Sequence, residues 1–264
     1  MITVLGATGY IGSNLVKRLV SDNIEVYAPR KEEIIDNRNL GHIIYCIGLT
    51  ADFRTKPFDT VEAHVCVLNK ILRDCHFESL TYLSSTRIYI NSVKDLAEEN
   101  EKILVDPLDS DELYTLTKLT GERLCLSSKK NVKIVRLANV FGDDFNSENF
   151  LSDIVRKILN KETVTLYSTL PSSKDYLFIE DAVDLILKIA LTGKEQIYNV
   201  ASGKNTTNEE IINELKNQID FTFNVSENAK LNVFPKICTR KIIEEFNFLP
   251  RNITTLIPNL LKKV

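Results

Sequence analysis

The sequence has few of the residues that build disulfide frameworks or metal centres. Five cysteines and three histidines occur among its 264 residues, and neither type shows the close spacing that zinc ligands require. We therefore predict no disulfide framework and no metal site. We expect the cysteines to be small buried hydrophobic side chains.

Long apolar runs and a charge excess of one sign are also missing. The longest apolar stretches, 43–49 and 185–191, fall short of the ~18 residues that span a bilayer. The sequence leads at once into a strand-like segment, Ile2–Leu5, so we expect no secretory signal. Lysine and arginine total 33 against 36 acidic residues, a net charge of −3 with no broad basic surface for nucleic acid. We expect a cytoplasmic protein that binds neither membranes nor nucleic acid.

The chain does have a regular alternation of strand-like and helix-like segments. Apolar runs of strand length lie at 2–5, 24–28, 42–47, 79–84 and 131–137, and helical periodicity lies at 11–20, 57–75 and 112–127. This alternation predicts an α/β fold in which helices cover both faces of a doubly wound parallel sheet. A later helix is predicted after the capping pattern Thr207-x-x-Glu210.

Three of the nine glycines lie in one segment, Gly6-Ala7-Thr8-Gly9-Tyr10-Ile11-Gly12, between the first predicted strand and the first predicted helix. Glycines at this spacing permit a tight turn, let the backbone approach a pyrophosphate, and let the helix pack closely on the strand. The helix N-terminus then faces the anion. A purely structural glycine-rich turn is the less favoured alternative. We predict a dinucleotide site formed here by Gly6, Thr8, Gly9, Tyr10, Ile11 and Gly12.

The end of the second predicted strand bears on the choice of cofactor. An acidic side chain there would bind the adenosine ribose hydroxyls of NAD, but the strand is followed by Pro29, Arg30 and Lys31. Two cations suit the 2′-phosphate of NADP, and a guanidinium can bind it through two hydrogen bonds. We predict that Arg30 and Lys31 bind NADP, without excluding NAD. The alternatives for Arg30 are a solvated loop charge or stacking on the adenine of either cofactor.

A phenol and an ammonium occur one helical turn apart, at Tyr114 and Lys118. A free phenol has a pKa near ~10, and both an adjacent Lys⁺ and an oxidised nicotinamide favour the phenolate. Tyr114 could then exchange a proton with a substrate. Ser85 lies at the end of an apolar strand, where ligands bind in open α/β sheets, and could orient the reacting oxygen.

The glycine loop, the hydroxyl-bearing strand end and the Tyr/Lys helix occur in that order, and together they resemble the short-chain dehydrogenase/reductase superfamily. The resemblance is to its extended branch of nucleotide-sugar epimerases, dehydratases and 4-ketoreductases, and it covers nearly the whole chain. It implies a Rossmann-like dinucleotide-binding domain at 1–142, to which 176–200 return. A smaller α+β substrate-binding domain is expected at 143–175 and 201–264.

The resemblance also implies roles for single residues. Ser85, Tyr114 and Lys118 match the catalytic Ser/Thr, Tyr and Lys of the family, and Lys118 would also hold the cofactor ribose and lower the pKa of Tyr114. Expected cofactor contacts further include Ile47 and Gly48. The segments Arg136-x-x-Asn139, Asn149-Phe150 and Lys174-Asp175-Tyr176 resemble substrate-binding segments of the family. The expected substrate-binding residues are Thr86, Asn139, Asn149 and Lys174.

The chain departs from the family pattern at four places. The connection from Arg30 to the strand at His42 is too short for the usual helix and third strand. His64 stands where relatives have an asparagine, and we expect it either to reach the cofactor or to be structural. Lys174 replaces an arginine. Thr86 and Arg87 replace the Asp-Glu pair of the 4,6-dehydratases, so the proton carriers for dehydration are missing.

Hydride transfer at a sugar carbon, usually C4, is the chemistry that the resemblance implies, and the expected substrate is a nucleotide sugar. The cations after the second strand favour an NADPH-linked 4-ketoreductase slightly over a 4-epimerase, which needs no residue beyond Ser85, Tyr114 and Lys118. A non-catalytic NADP-binding sensor on the same fold is a further alternative. By the same resemblance, we expect a homodimer.

Overall fold

A computed structural model describes residues 1–31, 33, 38–50, 52–143 and 149–261. The strands within these ranges are β1 (Ile2–Leu5), β2 (Val26–Tyr27), β3 (His42–Tyr45), β4 (Ser79–Ser85), β5 (Leu96–Ala97), β6 (Val132–Leu137), β7 (Asn139–Phe141), β8 (Val164–Ser168), β9 (Ser173–Phe178), β10 (Ile197–Val200), β11 (Asn205–Thr207), β12 (Phe223–Lys230) and β13 (Lys236–Ile237).

The α-helices within the same ranges are α1 (Tyr10–Ser21), α2 (Pro57–Val61), α3 (Val67–Asp74), α4 (Glu112–Ser127), α5 (Phe150–Leu159), α6 (Ile179–Thr192), α7 (Asn208–Gln218), α8 (Arg240–Phe246) and α9 (Ile253–Leu261). A π-helical turn, Glu62–Cys66, joins α2 to α3, and short 3₁₀ turns occupy Asp52–Arg54 and Thr86–Tyr89. None of the helices in the described ranges is both long enough and apolar enough to cross a membrane.

Six parallel strands form the central sheet in the order β10-β6-β4-β3-β1-β2. Helices α1 and α6 pack on one face, while α3, α4 and the π turn between α2 and α3 pack on the other. Successive strand side chains point to opposite faces, so Ile44 belongs to one apolar cluster whereas Ile43 and Tyr45 belong to the other. The α/β fold with a doubly wound parallel sheet is confirmed.

The sheet ends at β2 on the side where the sequence predicts a reduced connection. β2 pairs only with Ile2 and Thr3 of β1, and β1 pairs on its other side with β3. The described residues between β2 and β3 form no helix and no further strand of this sheet. The described part of the connection between β2 and β3 therefore forms only a short wall beside β2.

Smaller sheets follow the central one along the chain. β7, β9 and β11 form a three-stranded sheet, and the pairs β8/β12 and β5/β13 form two further ones. The larger apolar cluster continues from Val4 and Leu15 beside the central sheet to Ile211 on α7 and Ile257 on α9. The apolar packing therefore continues across the predicted boundary between the two domains. The boundaries of that division stay a prediction.

The helix at Thr207 forms as its capping pattern predicts. The Thr207 hydroxyl accepts a hydrogen bond from the Glu210 amide at 3.0 Å, and the Glu210 carboxylate accepts one from the Thr207 amide at 2.7 Å. The expectation of buried cysteines is confirmed at Cys75 and Cys125, whereas Cys46 and Cys238 are half-buried. It was wrong at Cys66, which is exposed at the end of the π turn.

Candidate active site

A cavity of about 510 Å³ opens at the carboxyl ends of the central strands, where parallel α/β sheets bind ligands. Its walls come from the glycine loop, from the ends of β3, β4 and β6, from α4, and from β9. The predicted site residues that line it are Gly9, Tyr10, Ile11, Gly12, Ile47, Gly48, Ser85, Thr86, Tyr114, Lys118, Asn139, Asn149 and Lys174. Four others do not line it: Gly6, Thr8, Arg30 and Lys31.

The glycine loop has the backbone geometry that its spacing predicts. Gly6 has a φ of +86°, which only glycine adopts without strain, and the Gly9 amide donates to the Gly6 carbonyl at 3.1 Å. A Cβ on Gly12 would lie 2.2 Å from the Gly6 oxygen, so α1 can approach the loop only because Gly12 has no side chain. A Cβ on Gly9 would meet nothing closer than that oxygen, at 3.5 Å. The side of Gly9 that faces the cavity is therefore open to a pyrophosphate.

Tyr114 and Lys118 are both buried on the face of α4 that points to the sheet. The Lys118 ammonium donates to the Leu83 carbonyl at 2.9 Å and lies 5.8 Å from the centre of the Tyr114 ring. Burial lowers the pKa of Lys118 to about 8, because the charged form loses hydration. Lys118 is therefore close to its titration point at neutral pH.

In the protein without bound cofactor the net shift of the Tyr114 pKa is upward, and the expectation that Lys118 lowers this pKa stays a prediction. Burial of the phenol raises the pKa of Tyr114. The groups that act in the opposite direction are the Ser85 side chain, through a hydrogen bond, and the Arg87 guanidinium. The loss of phenolate hydration therefore outweighs the nearby positive charge, and Tyr114 starts as a neutral acid.

His64 connects the cofactor side of the cavity with α4. Its Nε2 accepts a hydrogen bond from the Leu49 amide at 3.2 Å, and its Nδ1 lies 2.8 Å from the Thr117 hydroxyl. Because Thr117 donates to the Tyr114 carbonyl at 3.0 Å, Nδ1 is the nitrogen that carries the proton. Burial and the Lys118 charge lower the pKa of His64 to about 2, so the ring is neutral. These two hydrogen bonds agree with the structural expectation for His64, and contact with the cofactor stays a prediction.

A buried ion pair holds α4 on the sheet. Arg136 on β6 donates to both oxygens of Glu122 at 3.0 and 2.7 Å, and Ser84 on β4 donates to the same carboxylate at 2.6 Å. Glu122 lies one helical turn beyond Lys118 on the same face of α4. Sequence reasoning did not assign Glu122, although a glutamate in register with Tyr114 and Lys118 is a visible signal. This ion pair therefore fixes the positions of the Tyr114 and Lys118 side chains relative to β4.

Three of the predicted substrate-binding residues, Asn139, Asn149 and Lys174, lie on the wall of the cavity formed by β7, β9 and the start of α5, while Thr86 follows Ser85 at the end of β4. The half-buried Lys174 side chain places its ammonium 5.1 and 5.3 Å from the ring centres of Phe150 and Tyr176. Burial, and then the charge of Arg87, lower the pKa of Lys174 to about 8. The Asn139 amide group donates to the Asp175 carbonyl at 3.0 Å, which ties β7 to β9. Asn149 precedes the first turn of α5 and also faces the cavity.

A carboxylate lies near β2, although the residues at the strand end itself carry none. Glu33 accepts a hydrogen bond from the Tyr27 hydroxyl at 2.6 Å and from the Arg30 amide at 3.3 Å, and it lies 3.5 Å from Arg38. These protein groups already bind the carboxylate, and Glu33 is not among the residues that line the cavity. Arg30 and Lys31 are exposed in the same turn, and their charges are available to the adenosine end of a cofactor.

Known proteins share both the sequence pattern and the fold. The model of the family described as "NAD dependent epimerase/dehydratase family" matches residues 2–201. The chain therefore belongs to this family, and with it to the extended short-chain dehydrogenases/reductases.

Three relatives show the range of the family. A protein of Methanocaldococcus jannaschii named as a putative UDP-glucose 4-epimerase is 24% identical, with 84% of this chain and 83% of that protein covered. MoeE5, solved with UDP-glucose and NAD, superposes with a TM-score of 0.83 at 18% identity over 99% of this chain and 97% of MoeE5. RMD from Pseudomonas aeruginosa, solved with NADPH, superposes with a TM-score of 0.76 at 17% identity over 99% and 97%. At these identities, the solved structures show the fold.

Proposed function

We propose that the protein is a nucleotide-sugar 4-epimerase in which Tyr114 moves the proton of the sugar C4 hydroxyl. The observation that carries the proposal is the convergence of Tyr114, Lys118 and Ser85 on one cavity with an uncovered glycine loop. The open side of Gly9 and the start of α1 fit a pyrophosphate. A bound nicotinamide dinucleotide would supply the acceptor and donor of the hydride.

The proton transfer and the binding of substrate and cofactor are assigned to residues of the chain. Tyr114 takes the proton of the C4 hydroxyl as that carbon becomes a ketone and returns a proton when the ketone is reduced. Ser85, whose hydrogen bond already acts on Tyr114, holds the same oxygen. Lys118 binds the cofactor ribose, and its position above Leu83 keeps its charge near the phenol. Lys174 holds a phosphate of the substrate, as a point charge rather than a fork.

We favour a 4-epimerase over a 4-ketoreductase for two reasons. Glu33 lies near β2 as a carboxylate bound to Tyr27 and Arg30, so cations are not the only charges beside this strand and the ground for an NADPH-consuming enzyme is weaker. The M. jannaschii relative also bears the name of a putative 4-epimerase. A 4-ketoreductase is the second candidate, because Arg30 and Lys31 are exposed at the same strand end and suit a 2′-phosphate.

The test is to incubate the protein with NAD and each of UDP-glucose, dTDP-glucose and GDP-mannose, and to analyse the sugars by NMR. We expect a C4 epimer of one sugar without net change in NADH absorbance. We expect Tyr114→Phe to bind NAD normally and to form at least about 100-fold less product, as the loss of a general acid–base group implies.

A second set of reactions contains NADPH and the 4-keto form of each sugar. Stoichiometric oxidation of NADPH here, with no epimer in the first set, would replace the epimerase by the ketoreductase. Failure of every sugar to react or bind, with cofactor binding intact, would contradict both enzymes and leave the sensor.

A further inference from the structure

His64 is a fully buried residue whose ring contacts two separate parts of the candidate active site. It lies in the π turn between α2 and α3, a local widening of a helix that is frequent at functional sites. In this turn the carbonyls of Ala63 and His64 accept hydrogen bonds from the hydroxyls of Tyr45, at 2.7 Å, and Tyr82, at 3.4 Å. These two tyrosines are paired across β3 and β4. The sheet therefore holds the backbone from which the imidazole projects.

One side of the imidazole contacts the loop that follows β3, residues 46–49. Nε2 of His64 accepts a hydrogen bond from the Leu49 amide at 3.2 Å, and Gly48, the preceding residue, lines the cavity. A Cβ on Gly48 would lie 3.1 Å from Nε2 of His64 and 3.3 Å from Nζ of Lys118. The loop therefore lies against the imidazole and the ammonium together, at a place where we expect contact with the cofactor.

The other side of the imidazole contacts the helical turn that separates the phenol from the ammonium. Nδ1 of His64 donates to the Thr117 hydroxyl at 2.8 Å, and this hydroxyl donates to the Tyr114 carbonyl at 3.0 Å. The rings of His64 and Tyr114 also meet edge to face, with their centres 5.3 Å apart and their planes at 87°. His64 therefore contacts the ring of Tyr114 directly and its backbone through Thr117.

The charge state of His64 argues against a role in proton transfer. Burial, and then the charge of Lys118, lower the pKa of His64 to about 2. The ring therefore stays neutral at physiological pH, with one nitrogen as a donor and the other as an acceptor. A neutral ring suits this place, because a second cation would disfavour the charged form of Lys118.

We propose that His64 is a positioning residue that ties the loop after β3 to the turn between Tyr114 and Lys118, and so aligns these two side chains with a cofactor bound against the loop. This inference rests on the function proposed above. The Leu49–His64–Thr117 link has two separable halves. The hydrogen bond from Leu49 acts on how the loop holds the cofactor, and the hydrogen bond to Thr117 acts on how Tyr114 is oriented. Orientation matters because small displacements of a reacting group are costly to the rate.

Two variants of His64 each keep one half of the link. The amide nitrogen of an asparagine takes roughly the place of Nδ1 and can still donate to Thr117, whereas the amide oxygen of a glutamine takes roughly the place of Nε2 and can still accept from Leu49. Calorimetric titration measures the dissociation constant of NAD. Steady-state kinetics at saturating NAD, with the sugar that the wild type accepts, measures kcat.

The two variants should have opposite effects. We expect His64→Asn to raise the dissociation constant of NAD by about 3- to 10-fold, as the loss of one hydrogen bond implies, and to leave kcat within about three-fold of the wild type. We expect His64→Gln to lower kcat by at least about 10-fold, because Tyr114 loses its orientation, and to leave the dissociation constant of NAD within about three-fold.

Thr117→Val is the matched control, because it removes the hydroxyl between His64 and Tyr114 and leaves the imidazole in place. It should lower kcat as His64→Gln does. Combining the two substitutions should lower kcat little further, since residues of one hydrogen-bond network are not additive. The control also keeps the test decisive if both His64 variants fail to fold, because an unchanged kcat in Thr117→Val overturns the proposal.

The outcomes separate the link from the function on which it rests. Equal losses of NAD affinity and kcat in His64→Asn and His64→Gln are the result of a general structural role and overturn the proposal. Wild-type NAD affinity in both variants overturns it as well. NAD affinity that falls in His64→Asn but not in His64→Gln supports the link even if the wild type turns over no sugar, and that lack of turnover is failure of the proposed function alone.

Discussion

Burial controls the proton chemistry of single residues in this cavity. It raises the pKa of the Tyr114 phenol and lowers those of Lys118 and Lys174 to about 8. Each shift favours the neutral form, as the loss of hydration requires. A bound cofactor and substrate would replace the missing water with charges and hydroxyl groups. Without ligands, burial therefore shifts these three groups toward their neutral forms, and bound charged ligands would favour the charged forms.

Cofactor affinity should depend on pH through Lys118. The pKa of this ammonium is lowered, so the group is charged below about 8 and neutral above it, and the charged form is the stronger hydrogen-bond donor to the ribose. The apparent dissociation constant of NAD should rise about ten-fold between pH 7 and pH 9, in proportion to the lost fraction of ammonium. Calorimetric titration across this range measures it. Lys118→Met should bind NAD weakly with a flat profile, and a flat profile in the wild type would contradict the assignment.

Some residue-level features could be predicted from the sequence and others could not. The convergence of Ser85, Tyr114 and Lys118 could, because strand ends and helix turns place them without reference to distant residues. The bound acid at Glu33 could not, because it depends on how the chain turns after Arg30. The upward shift of the Tyr114 pKa in the absence of cofactor could not be predicted either, since it depends on how much water the folded cavity excludes.

Helix α4 carries Tyr114 and Lys118, and the ion pair between Glu122 and Arg136 fixes that helix on the sheet. Glu122→Gln should destabilise the protein by about 3–5 kcal/mol, because it leaves a buried guanidinium without its full charge partner. Urea unfolding followed by circular dichroism measures this change. The matched control is Asp184→Asn, which breaks half-exposed surface pairs with Arg18 and Lys188 and should cost at most about 1 kcal/mol. Equal effects of the two variants would contradict the role of the buried pair.

At the scale of elements, segments with a clear hydrophobic periodicity or capping pattern could be predicted from the sequence, and segments without one could not. The bounds predicted for α4, 112–127, match the structure, and the capping pattern at Thr207 begins α7 as expected. The pair β8/β12 was missed. β12, Phe223–Lys230, is largely polar and mostly exposed, so it lacks the alternation of a half-buried strand. It forms because β8 offers it a partner, which is a property of the fold and not of the segment.

The whole molecule has one large apolar cluster that joins the central sheet to the C-terminal helices. We therefore expect a single unfolding transition in urea, in which the far-ultraviolet circular dichroism and the tyrosine fluorescence change together. Two separated transitions would show that the two predicted domains unfold independently. Added NAD should move the transition to higher urea concentration, because it binds only the folded state.

The two-residue strand β2 also protects the molecule against self-assembly. An edge strand with many free amide and carbonyl groups is a template on which another chain can add a strand, and natural proteins often shorten such edges. β2 presents only Val26 and Tyr27 in register with its neighbour. The connection after β2 is short, and it shortens the wall beside the expected adenosine end of the cofactor. The same short edge leaves few free backbone groups to which another chain could add a strand on this side of the sheet.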